Sequence, residues 1–210
     1  MLANDSFQLT IDSTKSPTLE ECIFQDDHIA VIPDRKVACE AEMLAGFVAL
    51  LVSYGATPNC VSVMLTDKEF AKHESKIRKS LTTLLGPEQA ESISLIIHQS
   101  DSRKELAMLG ASESGEPIGL ARTIVDADFV IPIGFRPVRP TVGDYGPCTP
   151  IFPRFADIET QNRFSEAQRK KTTPQQKKKL TAEVQHVAQL LGVILAVEKN
   201  GESWECRHMF

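Results

Sequence analysis

Residues 61–86 read VSVMLTDKEFAKHESKIRKSLTTLLG, and the fold turns on how this stretch is divided. Val61 to Leu65 is an apolar run bounded by polar residues, the pattern of a buried strand. Thr66 or Asp67 then caps a helix whose Phe70, Ile77 and Leu81 follow at helical spacing up to Gly86. A buried strand feeding directly into a capped helix is half of a β-α-β unit. On the N-terminal side, Ile29 to Ile32 is a short β-branched run, followed by a Pro33-Asp34 turn. Cys39 to Tyr54 then carries Met43, Leu44, Phe47, Leu50 and Leu51 at helical spacing, stopped by Gly55.

On the C-terminal side the alternation continues. Ile93 to Ile97 reads as a fully buried strand, and Ser100-Asp101 as the cap of a helix carrying Leu106, Met108 and Leu109 before Gly110. A loop holding Gly110, Gly115 and Pro117 follows, then a short helix over Leu120 to Ala127, then an apolar strand from Phe129 to Ile133 that stops at Gly134. This order predicts an α/β fold: a mostly parallel sheet with helices on both faces, three layers in all, of the Rossmann-like kind, formed by residues 1–210 as a single domain.

Between Gly134 and Pro153 prolines and glycines replace helix formers, so this segment is expected to be a long loop leaving the C-terminal end of a strand. That edge is where open α/β sheets bind ligands. After Asp157 a helix begins; Lys170 to Lys179 is polar and basic; Leu180 to Leu191 is an amphipathic helix, and Val193 to Val197 a final β-rich run. Asn200-Gly201 signals a hairpin, with Trp204 packing against the sheet.

The apolar fraction of 42% suffices for a core, and a net charge of -5 argues against a nucleic-acid binder. No stretch has the length and apolarity of a bilayer span, and the start has neither the positive region nor the apolar run of a signal peptide, so a cytoplasmic chain without a membrane partner is expected. Cys22, Cys39, Cys60, Cys148 and Cys206 are odd in number and never arranged as Cys-x-x-Cys, which suits buried free thiols. Cys148 alone has a site address.

His98 follows an apolar strand within Ile97-His98-Gln99-Ser100-Asp101. It reads either as a ligand-facing imidazole or as a ring that satisfies a backbone carbonyl. Arg136 and Arg139 could fork onto a carboxylate or phosphate, against the reading of two surface charges. His28, His73, His186 and His208 do not cluster and read as solvent-facing, so no residue is assigned to a metal. The basic runs Arg169-Lys170-Lys171 and Lys177-Lys178-Lys179 read as a solvated linker leading into a helix.

The series His98 to Asp101, Leu109-Gly110, Gly115-Glu116-Pro117-Ile118, Asp126-Ala127-Asp128, Ile133-Gly134, Tyr145-Gly146, Ile151-Phe152-Pro153 and Ile158-Glu159-Thr160 resembles the N-terminal half of the nickel-pincer lactate racemase family in order and spacing. Asp34 matches an aspartate of a family motif, with Arg35 or Lys36 near the place of the arginine that follows it. The resemblance implies a nickel ion held by a pincer nucleotide on a lysine, a histidine that ligates the metal, and two histidines that exchange protons with a 2-hydroxy acid. Counted from Pro153, those places fall on Thr149 for the lysine, Ser165 for the ligating histidine and Arg139 for one catalytic histidine. The other falls near Thr66 to Phe70, which holds no histidine.

The expectation is therefore a divergent member of the family that has lost the covalent nickel-pincer attachment and binds a small anionic or nucleotide-like ligand, with no cofactor assigned. Asp34, Lys36, His98, Arg136, Arg139, Tyr145 and Thr149 are the expected lining, with His98 the candidate catalytic group. Two alternatives stand beside it. One is an isomerase of 2-hydroxy acids that holds its cofactor non-covalently. The other is a scaffold completed by a partner chain or a second copy.

Overall fold

A computed structural model describes residues 9–10, 17–112, 115–137, 143–169 and 173–209. The strands are β1 (Leu9–Thr10), β2 (Ile29–Pro33), β3 (Val61–Thr66), β4 (Ser94–His98), β5 (Leu106–Ala111), β6 (Pro117–Ala121), β7 (Phe129–Phe135), β8 (Leu195–Asn200) and β9 (Ser203–His208). The α-helices are α1 (Arg35–Cys39), α2 (Ala41–Ser53), α3 (Asp67–Leu85), α4 (Pro87–Ser92), α5 (Arg122–Val125), α6 (Ile158–Arg169) and α7 (Pro174–Leu190).

Seven strands form one sheet in the order β1-β9-β8-β7-β2-β3-β4. The run from β8 to β4 is parallel throughout, and β9 turns back antiparallel on β8 through the Asn200-Gly201 hairpin. From β2 the chain steps outward to β3 and β4, then returns to β7 on the other flank of β2. The direction of winding reverses between β2 and β7, which makes that gap the topological switch point, the place where open α/β sheets bind ligands.

Alternate residues feed two cores. Ile29, Val31, Val61, Val63, Leu65, Ile131 and Ile133 face α2 and α3, packing on Leu44, Phe47, Leu51, Ile77 and Leu81. Ala30, Ile32, Met64 and Val130 face the other way, where Ile151, Phe152 and Phe155 of the loop meet Phe164 of α6 and Val184, Val187 and Ala188 of α7. The result is the three-layer α/β/α arrangement that the alternation of strands and helices predicts.

Several local expectations differ. The segment after Ser100 is not a helix: β5 and β6 form an antiparallel hairpin, turned through Gly115 at φ 82°, with a bulge between Met108 and Gly110. β4 is not fully buried, because it is the edge strand and four of its five residues are half-buried. The single helix read over Cys39–Tyr54 divides at Glu40 into α1 and α2. His73 is buried, since it continues the Glu69, Ile77, Leu81 stripe of α3 at four-residue spacing. Trp204 is buried within β9 and tilts against Phe135 at 5.9 Å.

Candidate functional site at the strand C-termini

The C-terminal ends of β2, β3, β4 and β7 converge because those strands are parallel, and each end delivers one polar group. β2 ends in Asp34, the N-cap of α1, whose Oδ1 accepts from Val37 N at 2.7 Å. Its Oδ2 accepts from Phe135 N at 2.9 Å, tying β2 to β7 across the switch point. Gly134 makes room for this, since a Cβ there would lie 3.0 Å from Asp34 Oδ2. Asp34→Ala is expected to destabilise the chain by about 1–2 kcal/mol through the lost cap and the orphaned Phe135 amide, as chemical denaturation would measure.

β3 ends in a capping box: Thr66 and Glu69 satisfy each other's backbone amides, with Thr66 N donating to Glu69 Oε2 at 3.0 Å. The same Glu69 oxygen accepts from Nη2 of Arg154. Arg154 belongs to the loop after β7, and its Nη1 donates to the Pro33 carbonyl while its guanidinium lies 5.0 Å from the centre of the Phe155 ring. Side chains of both members of the pair are about nine-tenths buried, at 10% and 11% exposure. One arginine thus fastens the loop to the ends of β2 and β3.

β4 ends in His98, which is buried, stacked edge-on against Phe155 at 5.5 Å, and 2.9 Å through Nε2 from the Ala156 carbonyl. A carbonyl only accepts, so Nε2 carries the proton and Nδ1 is left with a bare lone pair. That Nδ1 is shielded from solvent and has no partner among the described residues. Gln161 Nε2 donates to the Arg154 and Ala156 carbonyls at 3.0 and 2.9 Å, holding the same turn. The hairpin anchors it from below, with Ala121 N donating to the Phe155 carbonyl at 2.9 Å.

Burial pushes the His98 pKa down from its ordinary 6.5, only partly opposed by the Ala156 contact and by Asp67. The ring is neutral at pH 7. Unfolded, it takes up a proton as the pH falls below about 6.5, whereas the folded form resists until lower pH, so stability is lost across that window and is complete above it. Thermal unfolding between pH 7 and 5 should show a steeper acid loss in the wild type than in His98→Gln. Parallel curves would remove His98 as the source.

Of the remaining expected lining residues, Lys36 and Arg136 flank Phe135, and Tyr145 and Thr149 lie farther along the loop after β7. Arg136 donates to Glu205 at 3.2 Å and Glu198 at 3.4 Å, on the β8–β9 side, and Lys36 lies 5.4 Å above the Phe135 ring. Tyr145 is buried edge-on against Phe164 at 5.5 Å, and Thr149 Oγ1 accepts from Tyr145 N at 2.9 Å and donates to the Gly146 carbonyl at 2.7 Å. Arg139, Lys170 and Lys171 lie outside the described residues. Cys148 is buried, and burial raises its thiol pKa to about 12, which leaves no thiolate at neutral pH.

Sequence reasoning brings Asp34 and His98 to this edge but misses Glu69, Arg154 and Gln161, which join them. Glu69 could have been found from Thr66-x-x-Glu69, a capping-box spacing. Two hollows lie elsewhere, one of about 280 Å³ beside Tyr145, Cys148 and Arg207, the other of about 690 Å³ and shallow over Met43 and Lys76. Neither includes Asp34, His98 or Arg154. Among the described residues, no three His, Cys, Asp or Glu side chains form a metal-binding group, and no helix is long and apolar enough to cross a membrane.

The lactate racemase N-terminal domain family is matched over residues 10–161, well over half of the chain. Among solved structures, the lactate racemase apoprotein from Thermoanaerobacterium thermosaccharolyticum is similar, with a TM-score of 0.58 and 15% identity over 86% of this chain and 45% of that one. The present chain therefore spans less than half of that protein, and at such identity the likeness establishes a common fold. No curated protein matches the chain.

Proposed function

Because the chain belongs to the lactate racemase N-terminal domain family, we propose that it is a divergent member whose sheet edge binds a small anionic or nucleotide-like ligand without covalent attachment of a nickel-pincer cofactor. The observation that carries this reading is that Asp34 at the switch point, Arg154 across the ends of β2 and β3, and the unpartnered His98 Nδ1 at the end of β4 lie along one edge of the sheet. A buried ring nitrogen with no donor and a buried guanidinium beside it suit a ligand that has both a hydroxyl to donate and a negative charge.

The family's cofactor does not fit the residues present. The place of its lysine falls on Thr149, whose hydroxyl is spent on its own turn, and the place of the ligating histidine falls on Ser165, an exposed residue of α6. A hydroxyl neither forms the family's lysine link nor replaces imidazole on nickel.

Titration of the labelled chain with inorganic phosphate, lactate and AMP, followed by NMR, tests the reading. Shifts should concentrate on His98, Phe135 and Arg154 for at least one probe, and shifts confined to the hollow beside Tyr145 and Arg207 would overturn it. Intact mass should equal that of the bare 23.2 kDa chain; a covalently added group would contradict the lost attachment.

A second reading, an isomerase of 2-hydroxy acids with a non-covalently held cofactor, draws on the same neutral Nδ1, which is a competent proton acceptor. Interconversion of L- and D-lactate by the purified chain, followed by chiral chromatography and abolished in His98→Gln, would favour it over simple binding.

A further inference from the structure

The guanidinium of Arg154 is used unevenly. Its Nε and Nη2 hydrogens point in the same direction and form the two-pronged edge that matches both oxygens of a carboxylate or phosphate. Here Nη2 reaches Glu69 Oε2, while Nε is buried without a partner among the described residues. Glu69 does not fill both prongs: the oxygen that meets Nη2 also accepts from Thr66 N at 3.0 Å, which holds the carboxylate in the capping box. A buried N–H left empty costs about 1–3 kcal/mol. A free oxyanion under no such tether would satisfy both hydrogens at once.

The surroundings favour exchange over a permanent bond. The guanidinium is held flat by Phe155 and fixed at its far side by the Pro33 carbonyl, so it is oriented before any ligand arrives. Glu69 sits in the first turn of α3, where its carboxylate keeps a favourable place at the helix N-terminus if it lets go of Arg154. The unpartnered His98 Nδ1 belongs to the same buried cluster, where Arg154 acts on the ring electrostatically.

We infer that Arg154 is the anion-binding residue of this edge and Glu69 its resident counter-anion, which an incoming oxyanion displaces to take both Nε and Nη2. This rests on the reading of the edge as a ligand site and adds the residue that selects the ligand. Entry requires the Glu69–Arg154 contact to open, so Glu69 lowers affinity for anions and sets a threshold below which the site stays closed.

The test compares the wild-type chain with Glu69→Gln, which keeps the capping acceptor but removes the competing charge. Each is titrated with sodium acetate and with inorganic phosphate against sodium chloride at equal ionic strength, the two probes separating a carboxylate from a phosphate preference. At least one probe should bind Glu69→Gln ten-fold or more tightly than wild type, with saturable thermal stabilisation. Equal responses in the two proteins overturn the role of Glu69. Should Glu69→Gln fail to fold, the wild type decides: the Arg154 Nε–H resonance should move on titration. An unmoved Nε–H overturns the inference. If His98 and Phe135 respond while Arg154 does not, the ligand edge stands and Arg154 falls; if no resonance at the edge moves in either protein, both fall.

Discussion

Arg154→Ala lowers the stability of the chain by about 3–5 kcal/mol, the range expected when one member of a buried ion pair is removed and the other is left uncompensated. The Glu69 carboxylate remains about nine-tenths buried and keeps only the Thr66 amide, while the Pro33 carbonyl loses its donor. For a chain of this length that corresponds to a fall in Tm of roughly 6–20 °C. Replacing both partners together, Glu69→Leu with Arg154→Met, should cost far less, because no buried charge is left behind. Chemical denaturation of the two variants checks this, and a loss below about 1 kcal/mol for Arg154→Ala would mean that water already satisfies the pair.

Phe164→Ala should cost about 3–5 kcal/mol for the cavity it leaves. The ring is fully buried and meets Tyr145 and Phe152 edge-on at 5.5 and 5.2 Å, so it joins α6 to two points of the loop between β7 and α6. Phe47→Ala, equally buried under the opposite face, should cost a similar amount. The two differ in where they act. Hydrogen exchange of the 143–157 backbone should quicken in Phe164→Ala and stay near wild type in Phe47→Ala; equal exchange would place the loop's anchorage elsewhere.

The strands at the centre of the sheet are legible in the sequence because nothing competes with their signal. Ile29 to Ile32, Val61 to Leu65 and Phe129 to Ile133 are apolar on both faces and too short to be helices. The hairpin is misread for a physical reason. The bulge after Met108 shifts the alternation of β5, so that exposure falls on Met108 and Ala111, three residues apart, which imitates a helical face. Helix α4 hides behind Gly86-Pro87, which stops one helix and starts the next.

At the edge, Asp34 and His98 are found from sequence because each directly follows a strand. Arg154 gives no such sign, since its partner Glu69 lies 85 residues away and only the folded sheet brings them together. Arg136 misleads in the opposite sense. Its donors are the right chemistry for an anion, but Glu198 and Glu205 on the hairpin already accept them.

The pairing of β2 with β7 sets the order in which the chain can mature during synthesis. His28 and Asp128, 100 residues apart, hydrogen-bond at the start of that pair, so the centre of the sheet is the last of its parallel junctions to become available on the β2 side. At about 5–20 residues per second, a growing chain carries β2 with one flank open for roughly 5–20 s after it emerges from the ribosome. The strand left waiting is Ile29–Pro33, apolar along its whole length, and a nascent chain stalled in that interval offers a ready template for another chain to pair with.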